Sequence, residues 1–404
     1  MNQWLSVIGI SEEGALALTP KALELIKNAE YIVGGERHFK LVDSVISGNT
    51  PRLIWKTPLI STIDDINSHK NNPVVVLATG DPMAFGVGRT LARYYSSDEM
   101  LILPAPSAFS LACARLAWAV EETLCISLHG RPIKTLRAHL GIRKKILALS
   151  NDGKTPSMVA LELEELGYGE SLMTVYENMG NSHEKVSQQT AMNWGGKSVA
   201  DLNIIAIECR GTTNTKRFSD GGGIPDRAFY NNGQLTKREI RIITLAALKP
   251  MLGGLLWDIG AGSGSISIEW LLANPNNEAI AIEQRADGCE SIMRNASNLG
   301  VPRLRIEQVR APKSLDKIPS PDAIFIGGGV SIPDVLEISW SRLKIGGCLV
   351  ANTVTTIGEE TLIKFHRKYG GNLTRMMISR ATPMGQHIGW RPLSPITQLE
   401  ITKS

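Results

Sequence analysis

The C-terminal half of the chain alternates short apolar runs with segments of helical hydrophobic spacing. Between Lys237 and Leu248 the apolar residues recur three to four positions apart, which predicts an amphipathic helix that Pro250 ends. The apolar runs predict strands at 255–259, 279–283, 304–309, 322–327 and 348–352, with later strands near 373–379 and 396–401. Because helical stretches separate the first five strands, the pattern predicts a parallel, doubly wound α/β sheet.

The N-terminal half also predicts an α/β fold, but with a different succession of elements. An apolar strand begins at Leu5, and Thr19 followed by Pro20 has the residue types of a helix start. The predicted helices are 19–28 and 108–117, and the further strands are 74–78, 125–129, 145–149 and 203–207. The two halves show no internal repeat, so a duplicated domain is not predicted.

Residues 211–223 separate the two halves. They are polar and glycine-rich and lack apolar periodicity, which is typical of a linker. We therefore predict two domains, 1–210 and 224–404, each of ordinary domain size.

The composition excludes several classes of protein. The 404 residues are 43% hydrophobic and 20% charged, as in soluble globular proteins. Five scattered cysteines predict reduced thiols in a cytoplasmic protein and no zinc site. We expect no membrane segment, since no apolar stretch has the required length, and no secretory signal. The net charge of +4 is too weak to predict a nucleic-acid partner.

The most informative motif is the glycine-rich turn after the strand 255–259. Its candidate ligand-binding residues, together with the acid that ends the next strand, are Asp258, Gly260, Ala261, Gly262, Gly264 and Glu283. In such a βαβ unit the backbone approaches a nucleotide closely and the carboxylate accepts both ribose hydroxyls. A dinucleotide fingerprint needs a glycine where this chain has Ser265, so the spacing favours S-adenosylmethionine (SAM) over a nicotinamide cofactor. A turn without a ligand is the remaining alternative.

A shorter motif ends the predicted strand 74–78. Residues 79–82 (Thr-Gly-Asp-Pro) form a turn that displays backbone amides and one carboxylate at the edge of a cleft. The strand ends near Gly9 and at residues 106–108 could lie beside it. The alternative is a purely structural turn, because Gly-Asp-Pro is a common turn sequence.

The N-terminal motifs resemble those of the tetrapyrrole (precorrin) methylase family. The similar segments are 7–11 (Val-Ile-Gly-Ile-Ser), 32–38 (Ile-Val-Gly-Gly-Glu-Arg-His), 79–82, 106–108 (Pro-Ser-Ala) and 128–131 (Leu-His-Gly-Arg). The loop that begins at Ser11 departs from the family, which prefers a second glycine and a proline there. This departure concerns the loop geometry and leaves the resemblance intact.

The C-terminal motifs resemble the decarboxylating precorrin methylases. The similar segments are 235–241 (Leu-Thr-Lys-Arg-Glu-Ile-Arg), the glycine-rich turn and 321–329 (Pro-Asp-Ala-Ile-Phe-Ile-Gly-Gly-Gly). Fused in this order, the two halves resemble the precorrin-6Y C(5,15)-methyltransferase family of cobalamin biosynthesis over essentially the whole chain. The segment starting at Val309 lacks the Gly-x-Ala of that family.

The resemblance implies an SAM-dependent C-methyltransferase that converts precorrin-6B to precorrin-8. The N-terminal domain would methylate carbon 5. The C-terminal domain, a Rossmann-like class I methyltransferase, would methylate carbon 15 and decarboxylate the ring C acetate. The resemblance also implies one SAM per domain, a polycarboxylate tetrapyrrole as substrate, and a homo-oligomer. Whether the substrate is metal-free or carries cobalt stays open.

The same resemblance assigns roles to individual residues. SAM would contact Gly9, Thr79, Gly80, Asp81, Pro82, Ser107 and Ala108 in the first domain, and the glycine-turn residues, Glu283 and Gly327 in the second. The catalytic candidates are Thr236, Arg238 and Asp81. Lys237, Arg241 and Arg131 are candidates for binding substrate carboxylates, since a polyanion needs cationic partners. For Lys237 and Arg241, as for Arg238, the alternative is a solvated helix face.

Two rival functions predict either a different sequence motif or a different number of SAM sites. A nucleic-acid methyltransferase usually carries an Asn/Asp-Pro-Pro-aromatic motif for a flipped base, and the strand 322–327 ends without one. An SAM-binding sensor with a regulatory second domain would need one SAM site, whereas the precorrin enzyme needs two.

Overall fold

A computed structural model of the chain describes residues 3–212, 215, 222–233, 235–313 and 315–404. It divides into two compact units, one of Met1–Ile133 with Gly141–Lys216 and one of Lys134–Leu140 with Arg217–Ser404. The second unit therefore includes a short segment that lies inside the predicted domain 1–210. Of the predicted linker 211–223, residues 213, 214 and 216–221 lie outside the described residues.

The first sheet of the first unit is entirely parallel, with the strand order β3-β2-β4-β1-β5. Its strands are β1 (Leu5–Ile10), β2 (Tyr31–Gly34), β3 (Arg52–Ile54), β4 (Val74–Thr79) and β5 (Met100–Leu103). A helix follows each strand in turn: α1 (Pro20–Lys27), α2 (Glu36–Val42), α3 (Ile60–Ser68), α4 (Val87–Leu91) and α5 (Ala108–Leu116). Successive side chains of β1 and β4 enter two different core clusters, so both faces of the sheet are buried.

Local sequence signals account for where two of these helices begin. The Thr19 hydroxyl accepts a hydrogen bond from the Ala22 amide at 3.2 Å, and Pro20 occupies the first helical position of α1. Ser107 caps α5 in the same way, through the Ser110 amide at 3.1 Å. The predicted helix start at Thr19 is thus confirmed.

The second sheet of the first unit is mostly antiparallel, with the order β6-β7-β10-β8-β9. Only β6 and β7 are parallel, and each of the other neighbouring pairs is antiparallel. Its elements are β6 (Thr123–Ser127), β7 (Lys145–Leu149), α6 (Thr155–Glu165), β8 (Leu172–Glu177), β9 (Lys185–Thr190) and β10 (Asn203–Glu208). The predicted strands near 125, 145 and 203 are confirmed, with shifts of one or two residues at their ends.

The second unit contains a seven-stranded sheet in the order β13-β12-β11-β14-β15-β19-β16. Its strands are β11 (Leu255–Ile259), β12 (Glu278–Ile282), β13 (Arg305–Glu307), β14 (Ala323–Ile326), β15 (Cys348–Thr353), β16 (Asn372–Met376) and β19 (Ile396–Thr402). The first five are parallel, as predicted, and β19 runs antiparallel to both of its neighbours.

The helices of the second unit are α7 (Arg238–Leu248), α8 (Ser265–Ala273), α9 (Ala286–Asn298), α10 (Val335–Arg342) and α11 (Thr356–Tyr369). Buried side chains of β11 alternate between two core clusters, with Leu256 in one and Trp257 and Ile259 in the other. No helix among the described residues has both the length and the apolarity that crossing a bilayer requires.

One element of the second unit was not predicted. The predicted strand 373–379 is β16 followed by the start of a separate antiparallel hairpin, β17 (Ser379–Met384) and β18 (His387–Pro392). Most residues of this hairpin are exposed on both faces. A strand with no buried face has no reason to show the apolar alternation on which sequence prediction depends.

Arg241 is completely buried, which corrects the prediction that it binds substrate carboxylates. Its guanidinium donates to Glu269 at 2.8 Å, to Asp226 at 2.7 Å and to the Thr236 carbonyl at 2.6 Å, and it also donates to the Ile224 carbonyl. These bonds use the planar donor fork of arginine, so no part of it faces a ligand. The residue instead ties α7 to α8 and to the segment that precedes α7.

We predict that Arg241→Met destabilises the second unit by about 3–5 kcal/mol, because Glu269 would remain buried with a charge that has lost its partner. Urea unfolding of the full chain measures this loss. The matched control is Lys364→Met, which breaks an exposed ion pair within α11 and should change stability by less than about 1 kcal/mol. Equal losses in the two variants would contradict the role assigned to Arg241.

Candidate active site

The strand order of the second unit reverses at β11, because the connection after β11 leads to β12 on one side and β14 lies on the other. Ligands of doubly wound sheets bind at such a switch point, beyond the carboxyl ends of the strands. Gly260 has a φ of +70°, and a Cβ atom there would lie 2.8 Å from the backbone of Gly328. The glycine therefore allows the two strand ends to touch, and an alanine would be excluded.

Glu283 follows β12 and is held beside the glycine turn. One carboxylate oxygen accepts a hydrogen bond from the Gly262 amide at 2.9 Å, and the other accepts from the Arg285 amide at 3.0 Å. The side chain is 7% exposed. Each oxygen keeps a second lone pair, so the carboxylate remains able to accept ligand hydroxyls while the backbone sets its orientation.

The side chain of Asp258 has a different role from the predicted cofactor contact. One of its oxygens accepts from the Ser267 amide at 3.1 Å and from the Ser267 hydroxyl at 2.6 Å, in the first turn of α8. The side chain is 1% exposed, and burial raises the pKa of this carboxyl to about 6. Asp258 therefore anchors the helix behind the glycine turn, and we correct its assignment to a structural one.

The remaining predicted residues of the second unit lie at the start of α7 and at strand ends. The Gly327 amide donates to the Ile259 carbonyl at 3.0 Å, which joins the loop after β14 to the end of β11. Thr236 is half-buried and its carbonyl is held by Arg241. Lys237 caps α7 with its backbone, and exposed Arg238 donates to the Gly223 carbonyl at 2.8 Å.

The first unit contains a cavity of about 1450 Å³. The predicted residues that line it are Gly9, Thr79, Gly80, Asp81, Ser107, Ala108 and Arg131. Pro82 is buried beside them and is not part of the lining, so its predicted contact with the cofactor is corrected to packing. The structure thus brings together strand ends that are far apart in the sequence.

Close backbone packing shapes one end of this cavity. A Cβ atom at Gly9 would collide with the Gly80 carbonyl oxygen and lie 2.5 Å from the Ala105 amide nitrogen. Those two backbone groups are hydrogen-bonded to each other at 3.2 Å. The ends of β1, β4 and β5 therefore meet at Gly9, as the two strand ends of the second unit meet at Gly260.

Asp81 caps its own turn. One carboxylate oxygen accepts a hydrogen bond from the Met83 amide at 2.8 Å, which is the Asx-turn geometry of a structural aspartate. The other oxygen makes no hydrogen bond among the described residues and belongs to a side chain that lines the cavity. The contact with Met83 supports the structural alternative for one oxygen of Asp81, and the second oxygen remains available to a ligand.

His38 is a cavity residue to which sequence reasoning assigned no role, although it ends the motif 32–38. Its Nδ1 accepts a hydrogen bond from the Gly35 amide at 3.3 Å, and its Nε2 lies 2.9 Å from the Thr79 hydroxyl. A neutral imidazole that accepts at Nδ1 carries its proton on Nε2, so Nε2 donates to Thr79. The Thr79 hydroxyl then has its own proton free to donate to another acceptor.

Burial, together with a smaller effect of the positive charge of Arg37, lowers the pKa of His38 to about 4. The ring is therefore neutral at physiological pH. This fixes the direction of the hydrogen bond to Thr79, the residue at which β4 enters the Gly-Asp-Pro turn.

Comparison with known proteins agrees with the two-unit architecture. Residues 5–193 match the family described as tetrapyrrole (corrin/porphyrin) methylases, and residues 227–403 match a precorrin methyltransferase domain. A precorrin-6Y C(5,15)-methyltransferase (decarboxylating) from a Sinorhizobium species is 45% identical, over 100% of this chain and 97% of the relative. The chain belongs to the family of decarboxylating precorrin-6Y C(5,15)-methyltransferases.

Two further relatives carry the same family name. The Mycobacterium tuberculosis precorrin-6Y C(5,15)-methyltransferase is 36% identical over 98% of this chain and 99% of its own length. The crystal structure of the C-terminal domain of precorrin-6Y C5,15-methyltransferase from Rhodobacter capsulatus is 43% identical and covers 46% of this chain and 100% of that chain, with a TM-score of 0.44. As a member of this family, the chain is a methyltransferase.

We predict that His38 makes the first unit less stable in acid. Between pH 6.5 and about 4 the unfolded chain binds a proton at His38 that the folded chain excludes, so the free energy of unfolding falls as the pH falls through this window. In His38→Gln this contribution is absent and the decrease should be smaller. Urea unfolding of the full chain from pH 7.5 to 4.0 measures the slope.

The control for this prediction is His183→Gln, since that side chain is exposed and should leave the slope unchanged. A slope in His38→Gln that equals that of the unmodified chain would contradict the neutral, buried state of His38.

Proposed function

We propose that each unit binds one SAM and transfers one methyl group to the same tetrapyrrole, the first unit at carbon 5 and the second at carbon 15. The second unit also removes the carboxyl group of the ring C acetate, so that precorrin-6B is converted to precorrin-8. The observation that carries this proposal is the position of Glu283, which the backbone orients at the switch point of a parallel sheet.

The residues of the second unit fit SAM. A nucleoside needs a carboxylate for its ribose hydroxyls and a backbone without side chains at close approach, and Glu283 and the turn from Gly260 to Gly264 supply these. The turn contains no glycine at 265, so the fit to a pyrophosphate is poor. This unit is accordingly a Rossmann-like class I methyltransferase. SAM, when bound, supplies an electrophilic methyl group.

The first unit offers room for a macrocycle beside the cofactor. Its cavity of about 1450 Å³ exceeds the range of about 300–1,000 Å³ usual for small-ligand sites. Three exposed arginines of its wall, Arg89, Arg93 and Arg131, have no acidic partner among the described residues. Arg115 is different, because Glu184 binds it through two nitrogens at 3.0 and 3.3 Å. The unpaired arginines suit a substrate with several carboxylates.

The proposed methyl transfers do not depend on a nucleophilic side chain of the protein. The attacking atom is an electron-rich carbon of the macrocycle, so the chain has to align it with the methyl group and exclude water. The electron pair left by decarboxylation is absorbed by the conjugated ring. In the first unit the Thr79 hydroxyl, oriented by His38, is one donor available for positioning the substrate or the cofactor.

Self-association is part of the proposal. The hairpin of β17 and β18 exposes Ile388 and Trp390, at 79% and 76% of their surfaces. Large apolar side chains on a hairpin that lacks a covered face favour burial against another chain. We expect a homo-oligomer in the cytoplasm, without a nucleic-acid or membrane partner.

We predict that Glu283→Gln weakens SAM binding in the second unit by about 1.5–3 kcal/mol, because charge-assisted hydrogen bonds to the ribose become neutral ones. Methylation at carbon 15 and decarboxylation should fall while methylation at carbon 5 persists, and mass spectrometry of the product separates these outcomes. Glu278→Gln, an exposed position at the opposite end of β12, is the control. Equal loss of both methylations would refute the division between units.

We predict that Arg131→Gln raises the KM for the tetrapyrrole several-fold in carbon-5 methylation, since one carboxylate loses a charged partner. Arg131 lies 5.7 Å from the ring of Phe85, which keeps the guanidinium at the cavity wall. Steady-state kinetics of each methylation measure the change. The control is Arg210→Gln, an exposed arginine of the same unit that does not line the cavity. An unchanged KM in Arg131→Gln would remove this residue from the substrate site.

A further inference from the structure

Residues 229–233, which we call the strap, pass beside the glycine turn of the second unit before α7 begins. Phe229 anchors the strap in the core, where it is 4% exposed and lies 4.7 Å from the guanidinium of buried Arg241. Tyr230 and Asn232 are exposed. None of the motifs that indicated a SAM site includes these residues.

One buried side chain connects the strap to the glycine turn. Asn295, in α9, accepts a hydrogen bond from the Tyr230 amide at 2.7 Å and donates to the Tyr230 carbonyl at 2.8 Å. Its amide group also donates to the Ser263 carbonyl at 2.9 Å, within the glycine turn. Asn295 is 1% exposed. All three hydrogen bonds go to backbone groups, so the amide fixes the distance between the strap and the turn.

A second set of contacts connects the strap to the backbone that follows Glu283. The Asn232 side chain donates to Asp287 at 2.6 Å, in the first turn of α9. Asp287 in turn binds the Arg285 guanidinium at 3.0 and 2.8 Å. The Arg285 amide is one of the two donors that orient Glu283. The strap is therefore tied to both backbone segments that hold the ribose-binding carboxylate.

We infer that the strap forms a wall of the SAM site of the second unit and that Asn295 is the positioning residue that holds this wall against the glycine turn. The inference rests on the proposed function. The Asn295 amide pairs with three backbone groups at once, so its removal would leave these groups of Tyr230 and Ser263 without this partner and would release the strap from the turn at the switch point. Binding of SAM against the turn and Glu283 would then order the strap as well.

The test uses the full chain and two variants. Asn295→Ala removes all three hydrogen bonds, and Asn232→Ala removes only the exposed link to Asp287, so it should fold even if the first variant does not. We expect Asn295→Ala to raise the KM for SAM in carbon-15 methylation about ten-fold or more, and Asn232→Ala to raise it by a smaller factor. Carbon-5 methylation by the same chain serves as the internal control.

Asn276→Ala is the matched control variant, because Asn276 is exposed in the turn before β12, away from the carboxyl ends of the strands. It should leave both methylations unchanged. A purely structural Asn295 would lower the melting temperature and the yield of active enzyme while the KM for SAM stayed the same in both variants. That result would overturn the inference.

Amide hydrogen exchange provides a readout that does not depend on activity. Addition of SAM should slow exchange in peptides covering 229–233 and in peptides covering 260–264, and in Asn295→Ala only the second group should respond. If SAM slows exchange in the glycine turn of the unmodified chain but not in the strap, the inference is overturned and the proposed function stands. Absence of a response in both segments would instead contradict the proposed function.

Discussion

In both units the carboxyl ends of neighbouring parallel strands lie so close together that no side chain fits between them. A Cβ atom at Gly260 would overlap the backbone of Gly328, and one at Gly9 would overlap the turn at Gly80. These contacts bring backbone amides and carbonyls to the edge of a crevice, where a ligand can approach the main chain directly. The positions of the acid, the hydroxyls and the cations that line each site follow from where these strand ends meet.

The charged groups of the second unit differ in their surroundings and therefore in their roles. Arg241 and Glu269 are paired in the interior, where their contacts join α7, α8 and the segment before α7. Asp258 is buried behind the glycine turn, and its pKa is raised to about 6 by burial. Glu283 keeps its lone pairs toward the crevice while two backbone amides orient it. Neighbouring carboxylates thus serve different purposes because their surroundings differ.

The strand ends of the two units carry different polar groups. The second unit presents the carboxylate of Glu283, oriented by two backbone amides, whereas the first unit has a cavity of about 1450 Å³ with exposed arginines on its wall. In the first unit the polar groups nearest the strand ends are the Thr79 hydroxyl, which bonds His38 of α2, and the Asp81 carboxylate, which accepts from the Met83 amide.

The sequence alone predicted the five parallel strands of the second unit, β1 and β4 of the first, the start of α1 and the glycine turn with its following acid, whereas β2 and β3 were not predicted. These features depend on hydrophobic period, capping residues and backbone freedom, which act over a few neighbouring positions. The three-dimensional structure was needed to show that Arg241 is buried, that Asp258 anchors α8 and that His38 binds Thr79, 41 residues away. It also decided that Asn295 joins Tyr230 to the glycine turn. Such contacts join residues from distant parts of the chain, and whether a polar side chain faces water or a partner depends on packing that no local pattern records.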